Sequence, residues 1–71
     1  MSDFRHIERT KHYIEEHEKY FPLNEVIKAI YESPKNRRRK GDKIEIENER
    51  YYILGVVENH IFYVINAKWK R

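Results

Sequence analysis

Three β-rich runs, separated by two short polar breaks, fill the chain from Lys43 to Arg71: KIEIE-NE-RYYILGVV-EN-HIFYVINAKWKR. No other stretch limits the fold so tightly. Ile44 and Ile46 alternate with Lys43, Glu45 and Glu47, the period of a strand with one buried face. Arg50 to Val57 is almost continuously β-branched, aromatic or aliphatic, which suits a central strand, and Ile61 to Trp69 is similar. Asn48-Glu49 and Glu58-Asn59 are the breaks, so two tight hairpins are the economical reading.

With two-residue loops at both breaks, Val57 opposes His60, Gly55 opposes Phe62, Ile53 opposes Val64 and Ile44, and Tyr51 opposes Ile46 and Asn66. That face is apolar until Asn66, Lys68 and Lys70 at its rim, and is expected to take the helices. The other face carries Lys43, Glu45, Glu47, Arg50, Tyr52, Leu54, Val56, Ile61, Tyr63, Ile65, Ala67 and Trp69, and is expected to be a working surface. A one-residue slip would exchange the two faces.

The preceding half reads as helix. Ile7, Ile14 and Phe21 recur at intervals of seven, predicting a helix from Asp3 to Lys19 capped by Ser2 or Asp3. The alternative for the first residues is an edge strand. Tyr20-Phe21-Pro22 ends that segment, because a residue before proline avoids the helical region. Asn24 then caps a second helix with Val26, Ile27, Ile30 and Tyr31 on one face, and Ser33-Pro34 stops it. The expected fold is therefore α+β, a single domain over residues 1–71. Two N-terminal helices pack on one face of a three-stranded antiparallel meander, with or without the extra edge strand.

A chain of 71 residues buries a thin core, and with no cysteine it has no disulfide staple and no Cys-based zinc motif. His6, His12 and His17 show no recognised ligand spacing, so neither metal nor cofactor is expected. No run approaches the roughly 20 apolar residues of a membrane helix, and Met1-Ser2-Asp3 leads directly into polar sequence. The expectation is a cytoplasmic protein without membrane contact. Charged residues make up 38% of the chain, and ion pairs or a homodimer are expected to supplement so small a core.

Net charge is only +3, but the cations cluster. Lys35 to Gly41 reads as a basic loop holding Arg37, Arg38 and Arg39, and Lys68-Trp69-Lys70-Arg71 is a second basic group. Guanidinium groups offer planar donor forks to phosphate, although such a run also serves as a solvated guard beside an edge strand. Tyr63 and Trp69 can stack unpaired bases while Lys68 and Lys70 neutralise phosphates; Tyr52, Tyr63 and Trp69 also suit a dimer interface. His6 and Arg9, three apart on an expected helix, have the chemistry of phosphodiester cleavage, one titrating near neutrality and the other holding phosphate. The competing reading of that pair is an ordinary helix surface.

Segments HIER at His6–Arg9, FPLNEVIKAI at Phe21–Ile30 and YVINAK at Tyr63–Lys68, in this order within a short basic chain, resemble the RelE-like toxin superfamily. The resemblance implies a metal-independent messenger-RNA endoribonuclease, acting on the ribosome and neutralised by an antitoxin-like partner. It also implies RNA on the sheet face away from the helices and on the basic loops. RNA contacts would then fall to Arg37, Arg38, Arg39, Lys43, Arg50, Tyr52, Tyr63, Trp69, Lys70 and Arg71, with His6, Arg9 and Lys68 as catalytic candidates. The alternative is a non-catalytic interaction module or small homodimer using the open sheet face.

Overall fold

The computed structural model describes residues 4–32 and 34–70. Its elements are β1 (His6–Arg9), α1 (Lys11–Glu16), α2 (Leu23–Glu32), a 3₁₀ turn (Pro34–Asn36), β2 (Arg37–Lys40), β3 (Lys43–Glu47), β4 (Tyr51–Glu58) and β5 (Ile61–Trp69). They form a five-stranded sheet of order β1-β5-β4-β3-β2. β1 runs parallel to β5, and the other neighbours are antiparallel. This overturns the expected three-stranded antiparallel meander beneath two N-terminal helices: the sheet is mixed and five-stranded, one outer strand being the edge strand held as the alternative to helix and the other coming from the segment read as a basic loop.

Local chemistry explains both corrections. In HIER only Ile7 packs on the core, with His6 and Glu8 on either side facing outward as strand alternation requires. Thr10 marks the change to helix. Its extended backbone (φ −93°, ψ 164°) caps α1, its hydroxyl accepting from the Tyr13 amide at 3.2 Å and donating to the Val64 carbonyl at 2.6 Å. The predicted caps Ser2 and Asp3 lie outside the described residues. Because α1 starts late, Tyr13 faces inward at 0% exposure and Ile14 outward at 46%. α2 begins at Leu23, one residue before the predicted cap Asn24, and buries Val26, Ala29 and Ile30. Ile27 and Tyr31 are exposed, against expectation. α2 runs to Glu32; Ser33 lies outside the described residues.

Both hairpin turns fall one residue beyond the predicted breaks. Asn48 accepts from the Arg50 and Tyr51 amides through Oδ1 at 2.7 and 3.0 Å, so Glu49 and Arg50 make the first turn. Asn59 and His60 make the second, both in the left-handed region (φ 53° and 64°), as the favoured two-residue hairpin demands. Each register therefore moves by two, giving Ile46↔Ile53 and Val57↔Phe62. An even shift leaves every side chain on its predicted face.

Past Gly55 that protection fails. Gly55 pairs with Val64 but Leu54 pairs with Asn66, so Ile65 is an extra residue, a β-bulge. Beyond it β5 is inverted relative to the prediction. Ala67 and Trp69 turn to the helix side opposite Ile53 and Tyr51, while Asn66 and Lys68 join Leu54 and Tyr52 on the open side.

The core lies between the helices and one sheet face. Phe21 sits at its centre, stacked on Trp69 with centroids 4.2 Å apart and edge-on to Tyr51 at 6.2 Å. The Trp69 indole donates to the Tyr20 carbonyl at 3.0 Å. Gly55 leaves room for the Phe62 ring, which lies where a Cβ at residue 55 would stand. Two carbonyls in the last turn of α2 find side-chain donors: the Tyr51 hydroxyl reaches Ala29 at 3.2 Å, and the Arg37 guanidinium reaches Ile30 at 3.1 Å.

Candidate functional site

The sheet face away from the helices is uncovered. Its middle is apolar, with Tyr52, Leu54 and Val56 on β4 beside Ile61 and Tyr63 on β5, all half-buried. Strand alternation aligns Lys43, Glu45 and Glu47 of β3 with this row, and Arg38 and Lys40 of β2 beyond them.

Charges at the β3 side are organised around the two carboxylates. Arg38 reaches Glu47 at 2.8 Å and Glu45 at 3.4 Å, Lys40 lies 3.9 Å from Glu45, and Lys70 meets Glu47 at 2.5 Å. The hydrogen bond from Lys70, then the Arg38 contacts, hold the Glu47 carboxyl below the usual range against a desolvation that opposes them. The Tyr52 hydroxyl donates to Glu45 at 2.8 Å. Burial first, then that hydrogen bond and the negative charges of Glu45 and Glu47, push its phenol up to about 12. The Lys68 ammonium lies 5.7 Å from the Tyr52 ring centroid, within cation–π range. Glu47, Tyr52, Lys68, Trp69 and Lys70 line a shallow depression at this corner.

Sequence reasoning gathered these residues only in part. Lys43, Tyr52, Tyr63, Lys68 and Lys70 share the open side with Arg38. Arg37 does not: it is half-buried against α2, with its guanidinium 5.2 Å from the Phe4 ring centroid. Arg39 alternates to the helix side and donates to the Gly41 carbonyl at 2.9 Å. Arg50 leans on Glu32 at 3.5 Å and on the Tyr51 ring, and Trp69 packs on Phe21. Arg71 lies outside the described residues.

The catalytic candidates do not converge. On a strand, His6 and Arg9 point to opposite faces. His6 is exposed beside Ile61, whereas Arg9 is engaged by both oxygens of Glu18 at 3.0 Å. Lys68 stands seven positions along β5 from Ile61, roughly 20 Å at strand rise.

One constellation escaped the sequence. His12 and His17 meet at the end of α1, their Nε2 atoms 3.2 Å apart. Burial, then the neighbouring His12, hold the His17 imidazole below the ordinary histidine range; Lys68 adds to this, while Glu16 and the Ala67 carbonyl oppose it. A spacing of five places two side chains together only because the helix ends at Glu16, and periodicity gives no sign of that ending.

Among the described residues no helix is long and apolar enough to cross a membrane, and no group of three or more His, Asp or Glu is placed to hold a metal ion. No protein-family model, curated protein or solved structure matches this chain.

Proposed function

We propose that this domain binds single-stranded RNA across the open sheet face, with Tyr52 and Tyr63 as stacking surfaces and Lys43, Lys68 and Lys70 as phosphate contacts. The observation that carries this reading is the Lys68 ammonium over the Tyr52 ring, on a face that Tyr63 shares. Aromatic faces beside mobile cations are what unpaired bases and their phosphates require. On the β2–β3 side and at the end of β5, Arg38, Lys40, Lys43, Lys68 and Lys70 outnumber Glu45 and Glu47, leaving a positive surplus. The resemblance to RelE-like toxins points the same way, and would make the bound RNA a messenger and the regulator an antitoxin-like protein. Cleavage forms no part of the reading, because His6, Arg9 and Lys68 are apart.

Fluorescence anisotropy with a labelled single-stranded RNA, across a salt series, tests the proposal. Replacing both Lys43 and Lys68 by alanine should weaken binding and lower the logarithmic salt slope by about 1.4, at ~0.7 for each phosphate that is no longer neutralised. Tyr52→Ala should weaken binding by about 1–3 kcal/mol if a base stacks there. Unchanged affinity and slope in these variants would remove the face from RNA binding.

A second reading is a protein-interaction module. Leu54, Val56 and Ile61 supply an aliphatic centre, and the ion pairs of Arg38 and Lys70 neutralise much of its rim. Under that reading RNA leaves the anisotropy flat, and light scattering shows either a dimer or a complex with an antitoxin-like protein.

A further inference from the structure

We infer that His12 and His17 form a two-imidazole chelate for a first-row divalent cation of the nickel–copper–zinc class, on the α1 side of β5. Two observations converge on it. The first is the bite. The Nε2 atoms are 3.2 Å apart, with the rings tilted by 59°. A cation bonded to both at about 2.0–2.1 Å spans roughly 3.4 Å between donors in tetrahedral geometry and roughly 2.9 Å at a right angle. The observed separation falls between these values, so the donor spacing matches that of a single ion.

The second is anchoring. His17 is the residue after α1, and its amide donates to the Tyr13 carbonyl at 2.9 Å. Tyr13 is itself fixed, fully buried with its hydroxyl on the Phe21 carbonyl.

The local charges divide. Glu16 favours a cation near His17 and Lys68 opposes it. Two protein donors leave coordination positions to water or to an oxygen donor from a bound partner. Imidazole selects the borderline cations, so magnesium and calcium are not expected to compete. A simple N–H···N hydrogen bond between neutral rings gives the same separation and binds no metal, and titration separates the two.

The test is calorimetric titration of the full, tag-free chain with zinc and with copper(II), followed by histidine ring nitrogen shifts in NMR. The expected result is one-to-one binding, copper tighter than zinc, with only the His12 and His17 rings shifted. His12→Ala and His17→Ala should each lose at least about tenfold in affinity. His6→Ala and His60→Ala, at exposed positions on other elements, should retain it. Should His17→Ala fail to fold, the exposed His12→Ala and the wild-type ring shifts still decide the matter. No saturable binding, or binding that survives His12→Ala and shifts His6 or His60 instead, overturns the assignment.

Discussion

Removing a single oxygen, in Tyr13→Phe, probes how the segment between the helices is held. The Tyr13 side chain is fully buried and its hydroxyl donates to the Phe21 carbonyl at 2.5 Å. Phenylalanine fills the same space but leaves that carbonyl without its donor in a dry interior, a loss of about 1–2 kcal/mol. In a domain this small, about 1.5 kcal/mol lowers Tm by roughly 6–12 °C. The effect also depends on pH. Burial, then the Glu18 carboxylate, push the folded phenol from 10.0 up to about 12, with Arg9 opposing. A folded pKa above the unfolded one gives stability that is present below pH 10 and lost as pH rises toward 12. Near pH 11 the wild type should have lost about 1.4 kcal/mol through this group, and the variant nothing. Urea denaturation followed by circular dichroism should therefore show two curves well separated at neutral pH and nearly coincident near pH 11. Tyr31→Phe, at a site 61% exposed, is the control and should stay within about 0.5 kcal/mol throughout. A gap that keeps its neutral-pH size at alkaline pH would refute the buried-phenol reasoning.

Two further predictions concern the sheet. Gly55→Ala should cost about 1–3 kcal/mol, because the new methyl falls on the Phe62 ring. Part of that cost should return in the Phe62→Leu background, and additive single and double mutants would show that the two residues do not clash. Arg37→Met keeps the stem but loses the donor to Ile30, so about 1–2 kcal/mol of stability should go while RNA affinity holds; the reverse pattern would return Arg37 to the RNA surface.

Strand faces were legible because the side-chain period forgives even errors. The turns were misplaced by one residue each, yet Ile44, Ile46 and Ile53 point where the pattern put them. The bulge was not legible. Ile61 to Ile65 is uniformly apolar or aromatic, so nothing in that run marks Ile65 as the unpaired residue, and Trp69 was assigned to the wrong side as a result. β1 was legible only as the edge-strand alternative, because the recurrence of Ile7, Ile14 and Phe21 is a helical spacing that here links a strand, an exposed helix position and a core aromatic. The RRRK strand was hidden by its charge. It holds its place through Arg37 on α2 and Arg38 on the β3 carboxylates, contacts that only the tertiary arrangement supplies. Of the functional surface, the open face carries Tyr52 and Tyr63 as expected, but the grouping of His6 with Arg9 rested on a helix that is absent there.

The parallel seam has a kinetic consequence. Every antiparallel pair joins strands that follow one another along the chain, whereas Thr10 and Val64, where β1 leaves β5, are 54 residues apart. Closing so wide a loop is entropically the most expensive pairing in the sheet, so the expected order is that β1 docks after the hairpins have formed and detaches before they melt. Each detachment uncovers the edge of β5 from Ile61 to Val64 and offers its unpaired amides and carbonyls to a neighbouring molecule. Four short residues, HIER, thus act as a latch against association between chains, and loosening them should be felt first as aggregation.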